Sequence, residues 1–125
     1  IDIIEDLVDF QRKYFDMSPW GKQIFQHLGE AVNIIPDLDL KFDLVFIDAD
    51  KKNNGTYYDL IFDQVRSGGL IIVDNVLWSG KIVDPKATDK STNALRDFNQ
   101  KCLEDPRVEK MLLPLRDGLY MLRVI

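Results

Sequence analysis

The sequence has one cysteine and one histidine, Cys102 and His27. A lone cysteine excludes an internal disulfide framework and fits a reducing cytoplasm. The lone histidine falls in a predicted strand, where a surface or hydrogen-bonded role outweighs catalysis or metal binding. Long apolar runs are missing too: stretches such as Leu70–Val73 fall far short of the roughly 20 residues that span a bilayer. No run of five or six like charges occurs, and the net charge is -5. Without clustered Lys and Arg, neither nucleic acid nor an acidic membrane is an expected partner. There is no internal repeat, no Gly/Ser linker and no Gly-x-Gly-x-x-Gly turn, so a nicotinamide dehydrogenase lacks its phosphate-binding signature. The chain opens on Ile1-Asp2-Ile3, with neither a Met start nor a signal-peptide pattern, and reads as if entered halfway along a strand.

What remains is an ordinary globular composition, 46% hydrophobic and 30% charged over 125 residues, enough for one domain and one core. Ile3, Leu7, Phe10 and Tyr14 recur at helical spacing and predict an amphipathic helix over about residues 4–16. Ser18-Pro19-Trp20-Gly21 breaks it. Ile24 to Leu28 reads as a strand ended by Gly29, and residues 31–38 as a short helical turn closed near Pro36. Leu44 to Ile47 is a continuous apolar run, the pattern of a strand buried on both faces in a parallel sheet. A helix with Tyr57, Leu60, Ile61 and Val65 on one face follows, with Ser67-Gly68-Gly69 as its C-cap and turn. Leu70 to Val73 is a second buried strand. A long polar loop runs from Val76 to Lys90, and a third helix carries Leu95, Phe98 and Cys102 inward. Arg116-Asp117-Gly118 separates Val108–Leu115 from Leu119–Val124 as a hairpin turn. The expected fold is α/β, a doubly wound sheet with a C-terminal antiparallel hairpin.

In such sheets ligands bind beyond the carboxyl ends of the parallel strands. Two acidic clusters sit there: Asp48-Ala49-Asp50-Lys51 and Asp74-Asn75. A single Asp after a strand is most often a turn former or helix cap. Two clusters after two successive strands shift the balance towards a site. If the strands are neighbours, Asp48, Asp74 and Asn75 bring three side-chain oxygens together, which suits a hard divalent cation. Cys102 reads as core, Trp78 equally as packing or substrate stacking, and Lys81 and Lys86 as solvated. A Mg²⁺-binding receiver module is the main rival reading, but it requires paired acids after the first strand and no terminal antiparallel hairpin.

The segments Phe46-Ile47-Asp48-Ala49-Asp50-Lys51 and Gly68-Gly69-Leu70-Ile71-Ile72-Val73-Asp74-Asn75-Val76-Leu77-Trp78-Ser79-Gly80 resemble the caffeoyl-CoA and catechol O-methyltransferases. Leu113 to Leu119 is similar to that family's last hairpin, and Gly29-Glu30-Ala31 to its adenine-side turn. The resemblance implies a Rossmann-like fold and methyl transfer from S-adenosylmethionine to a hydroxyl of a small phenolic or catechol-type acceptor. It implies Asp48, Asp74 and Asn75 as ligands of Mg²⁺, Mn²⁺ or Ca²⁺, and Lys51 as general base. It implies Asp2 at the cofactor ribose, Gly29 and Ala31 at the adenine, Asp50 on the cofactor side and Ser79 at the substrate. A homodimer is expected of the full-length protein. The family's Gly-rich loop after its first strand has no counterpart here. The expectation is therefore a single partial domain, residues 1–125, lacking the N-terminal part of the fold and inactive by itself, with an apolar sheet edge exposed.

Overall fold

Two apolar stretches pair in parallel to start the sheet: β1 (Phe42–Ile47) and β2 (Val65–Asp74). The computed structural model describes residues 1–125 as two compact units, Ile1–Leu38 and Asp39–Ile125. In the second unit, β3 (Val108–Leu113) and β4 (Leu119–Val124) form the terminal hairpin, and β4 lies antiparallel to β2. The sheet is thus mixed, four strands in the order β1-β2-β4-β3. The expected α/β architecture with its antiparallel hairpin is what forms.

Helices α3 (Asn54–Phe62) and α4 (Lys90–Glu104) pack against each other beside this sheet. Asp89 caps α4, its carboxylate accepting from the backbone and hydroxyl of Thr92 at 3.0 and 2.7 Å. The core joins Tyr58, Ile61 and Phe62 of α3, Leu95, Phe98 and Cys102 of α4, and Ile71, Val73 and Leu122 of the sheet. Each large apolar side chain removed from water contributes about 1.5–3 kcal/mol. Tyr58 packs edge-on to Phe62 and Phe98, with centroids 5.4 and 6.2 Å away. Leu95, Phe98 and Cys102 point inward as their helical spacing predicts.

Three expectations need correction. Leu44–Ile47 is not buried on both faces: β1 is a sheet edge, and Leu44 and Phe46 are each 55% exposed. The register aligns Phe46 with Ile72, Ile72 with Met121 and Met121 with Met111. These residues share one apolar face, and both α3 and α4 lie against the opposite one. Second, Gly68-Gly69 does not end a helix. α3 stops at Phe62, and the glycines lie in β2 where its register with β1 shifts between Phe42 and Leu44. Gly68 has φ +78°, and a Cβ on Gly69 would stand 2.6 Å from Val65 Cγ1, so the pair serves a strand irregularity, one glycine by its conformation and the other by its lack of a side chain, and not a helix cap. Third, Ile24–Leu28 forms no strand but one parallel bridge, Asp2 with Leu28.

In the first unit, a 3₁₀ turn at Glu5–Leu7 leads into α1 (Val8–Asp16), and α2 (Ala31–Ile34) leads into a 3₁₀ turn containing Pro36. Arg12 ties α1 to the segment after it, donating to the carbonyls of Ile24 and Gly21 at 2.9 and 2.8 Å. The helix expected over residues 4–16 is α-helical only from Val8: Ile3 precedes it and Leu7 lies in the 3₁₀ turn, so only Phe10 and Tyr14 of the predicted stripe sit on α1, and both are exposed.

Candidate active site at the strand ends

The parallel register pairs Ile47 with Val73, so Asp48 and Asp74 each follow the last paired position of neighbouring strands. Such strands lie about 4.8 Å apart. Asn75 comes next, held in the left-handed region at φ 62°. Asp74 Oδ1 accepts the Asn75 backbone N–H at 2.6 Å, which leaves its other oxygen for a ligand. Asp48 is exposed and its Oδ1 accepts from Lys51 Nζ at 3.0 Å. The donor set is two carboxylates and an amide oxygen at adjacent strand ends. No group of three or more Asp, Glu, His or Cys side chains is arranged to hold a metal ion. Carboxylate and amide oxygens are the donor type that a hard cation such as Mg²⁺ takes together with oxygens from water or substrate.

Lys51 opens a 3₁₀ turn, Lys51–Asn53, and its side chain is only 9% exposed. Its stem is covered while its ammonium meets Asp48, so the cation is aimed at the strand ends. Asp50 is held on both oxygens: Tyr57 OH donates to Oδ1, and Asn53 Nδ2 to Oδ2 at 2.7 Å. Each oxygen retains a lone pair for a ligand.

After Asn75 the chain turns through Trp78, Ser79 and Gly80, all at positive φ. The expected long polar loop contains a 3₁₀ segment, Trp78–Val83, fastened from two sides. On one side the hairpin turn grips it: Val76 N–H donates to Gly118 O at 3.1 Å, Leu77 N–H to Asp117 O at 2.9 Å, and Ser79 N–H to the Asp117 carboxylate. On the other side Arg96 of α4 donates to the carbonyls of Lys81, Ile82, Asp84 and Ala87. Asn99 Nδ2 adds a bond to Val76 O at 2.9 Å. A depression of about 640 Å³ opens beside this loop, lined by Asp74, Asn75, Ser79, Leu115, Arg116, Asp117 and Leu119. Trp78 is half-buried with its indole N–H unpartnered, and Lys81 Nζ lies 6.0 Å from its ring.

The other predicted cofactor residues belong to the first unit. Asp2 Oδ1 accepts the Ile4 backbone N–H and Oδ2 accepts Gln11 Nε2, both at 3.0 Å. The Ile4 N–H first, and then the Gln11 amide, hold its carboxyl below the usual range. An anion fixed this way suits the hydroxyls of a ribose. Gly29, with φ +139°, donates its N–H to Asp2 O at 2.8 Å, and Ala31 begins α2 two residues later. His27 is an exposed residue whose carbonyl accepts the Asp2 N–H. So Asp48, Asp50, Lys51, Asp74, Asn75 and Ser79 fall in the second unit, and Asp2, Gly29 and Ala31 in the first.

The sequence reading missed Arg96, Arg116 and Asp117 as site neighbours. Arg96 belongs to no motif in the sequence, and Arg116-Asp117 reads there only as turn chemistry. No local pattern announces that a hairpin turn folds back on a loop some forty residues earlier.

Comparison with known proteins bears on the family rather than on single residues. The family model described as O-methyltransferase matches residues 1–125. A probable caffeoyl-CoA O-methyltransferase of Dictyostelium discoideum is 46% identical over 85 residues, covering 67% of this chain and 37% of that protein. The caffeoyl-CoA O-methyltransferase of Mesembryanthemum crystallinum is 33% identical over 140 aligned residues, 94% of this chain and 54% of its own. Among solved structures, an SAH-bound methyltransferase of Podospora anserina superposes with a TM-score of 0.85 at 30% identity, covering 98% of this chain and 58% of that one. The chain spans about half the length, or less, of the curated relatives it matches.

Proposed function

The chain belongs to the O-methyltransferase family, and from that premise we propose that it serves, as part of one domain, in methyl transfer from S-adenosylmethionine to a hydroxyl of a small catechol-like or caffeoyl-CoA-like acceptor. The supporting observation is the position of Asp48 and of Asp74-Asn75 at the ends of the neighbouring strands β1 and β2, with the covered side chain of Lys51 bonded to Asp48. The caffeoyl-CoA relatives and the SAH-bound neighbour support acceptor class and cofactor. The family match disfavours the receiver-module reading.

In this reading Asp48, Asp74 and Asn75 would hold a divalent cation, which would supply positive charge at the acceptor and so favour loss of the proton from the reacting hydroxyl. Lys51, acting as its neutral amine, would take the proton from that hydroxyl at Nζ. Asp2, Gly29 and Ala31 hold the nucleoside end of the cofactor, Asp50 serves on the cofactor side, and Ser79 lies against the acceptor. The sulfonium methyl is already electrophilic, so the protein's main contribution is alignment of oxygen, carbon and sulfur. By likeness to the family, the working form is a cytoplasmic homodimer. No helix is long and apolar enough to cross a membrane.

Calorimetric titration of S-adenosylmethionine into the full-length gene product and into this chain, followed by a methyl-transfer assay with a catechol, tests the proposal. The full-length protein is expected to bind the cofactor and to lose turnover on chelation. Asp74→Ala is expected to lower turnover at least about a hundredfold, the scale of a lost metal-site contact. Transfer that survives chelation removes the cation from the mechanism, and absence of cofactor binding in both forms removes the methyltransferase reading.

A further inference from the structure

The six arginines of the chain differ in how they are used. Arg12 bonds Asp16 and two carbonyls, and Arg66 pairs with Asp43. Arg96 holds the loop carbonyls, Arg107 pairs with Asp105, and Arg123 pairs with Glu109. Arg116 alone has neither an ion pair nor a hydrogen bond to its guanidinium within the chain. It is also the only cation lining the depression beside Asp74, Asn75 and Ser79. Its sequence neighbour Asp117 makes no ion pair with it; one oxygen of that carboxylate accepts the Ser79 N–H instead.

The backbone adds an independent observation. Arg116 sits at φ 50°, a left-handed conformation in which Asn, Asp or Gly is at ease and a long side chain is strained. Strain of this kind costs of order 1 kcal/mol and concentrates at functional positions. A turn selected only for stability would carry Asn here.

We infer that Arg116 is a specificity-determining residue that receives a carboxylate borne by the acceptor itself. The inference rests on the methyltransferase reading and names its substrate class: a catechol-type ring carrying a carboxylate. A guanidinium presents a planar fork that matches a carboxylate with two parallel hydrogen bonds. Arg116 shares one depression with Asp74 and Asn75, and at about 640 Å³ it is of small-molecule size. The anion and the reacting hydroxyl therefore belong to the same small ring system, rather than to the distant phosphates of a long acyl carrier.

The test compares a dihydroxybenzoate with its neutral amide as acceptors for the full-length gene product, in native form and as Arg116→Asn and Arg116→Lys. The native enzyme is expected to favour the carboxylate in kcat/KM by roughly tenfold, the worth of one charge-assisted contact at a partly open site. Arg116→Asn is expected to erase that preference through a higher KM for the carboxylate. Because Asn suits the left-handed turn, its melting temperature should equal or exceed the native value, which separates lost recognition from lost folding. Arg116→Lys should keep part of the preference. An unchanged carboxylate-to-amide ratio in Arg116→Asn, or no preference in the native enzyme, overturns the inference. If neither acceptor is methylated although cofactor binds, the inference fails through its acceptor class. If cofactor does not bind, it fails together with the methyltransferase reading.

Discussion

Asp105 is nearly out of solvent yet remains charged, because three sets of donors surround it. The Arg107 guanidinium holds its carboxyl far below the usual range, helped by the Arg107 backbone N–H and by Tyr58 OH at 2.9 Å. Burial first, and then its hydrogen bond to Asp105, push the Tyr58 phenol upward. Arg107 also lies over the Phe62 ring, 3.8 Å from its centroid. A carboxylate whose pKa is lower in the folded state contributes stability above the ordinary carboxylate pKa of about 4, and loses it as pH falls towards the folded value. Asp105→Asn should therefore flatten the decline in stability below about pH 4 and cost about 2 kcal/mol near neutrality, where it weakens a buried pair. Urea unfolding of both forms at a series of pH values checks this; parallel acid limbs would count against it.

At the scale of elements, α4 has two duties. One face closes the core through Leu95, Phe98 and Cys102. Arg96, from the same helix, gathers four carbonyls between Lys81 and Ala87 and so shapes a segment with no sheet partner of its own. A single ammonium cannot serve acceptors spread along a turn as a planar guanidinium does. Arg96→Lys should therefore behave much like Arg96→Ala. Both are expected to raise hydrogen exchange at residues 81–89 by about tenfold, equivalent to losing about 1.4 kcal/mol of local protection, with the strands little affected. Uniform loss of protection across the chain would mean that the clamp serves the whole fold instead.

The sheet as a whole has two unlike faces. One is sealed by α3 and α4; the other leaves Phe46, Leu44 and Met111 more than half exposed across edge strands. A contiguous apolar surface of this kind binds hydrophobic dyes without unfolding. The native chain should enhance the fluorescence of an anilinonaphthalene sulfonate probe, and joint Phe46→Gln and Met111→Gln substitution should lower that signal at unchanged far-ultraviolet dichroism. Equal dye binding by the variant would point to another surface, such as the exposed Phe10 and Tyr14 of α1.

Much of this protein is local in origin and so was legible in its residues. Continuous β-branched runs specify strands, and the spacing of Leu95, Phe98 and Cys102 specifies the inward face of a helix. A turn triplet between two apolar runs specifies the hairpin. The polar clusters after Ile47 and Val73 marked a candidate site because acids at strand ends are local features as well. What the sequence alone could not decide depends on contacts between distant segments. A continuous apolar run reads the same whether its second face is covered or bare, so β1 looked central where it is an edge. Two glycines in a row read as a stop, and only pairing with β1 shows that they absorb a register shift. Arg116 and Asp117 gained their place beside Asp74 and Asn75 when the hairpin turn closed on the loop after β2, an arrangement set by backbone hydrogen bonds to Val76 and Leu77 that no residue pattern records.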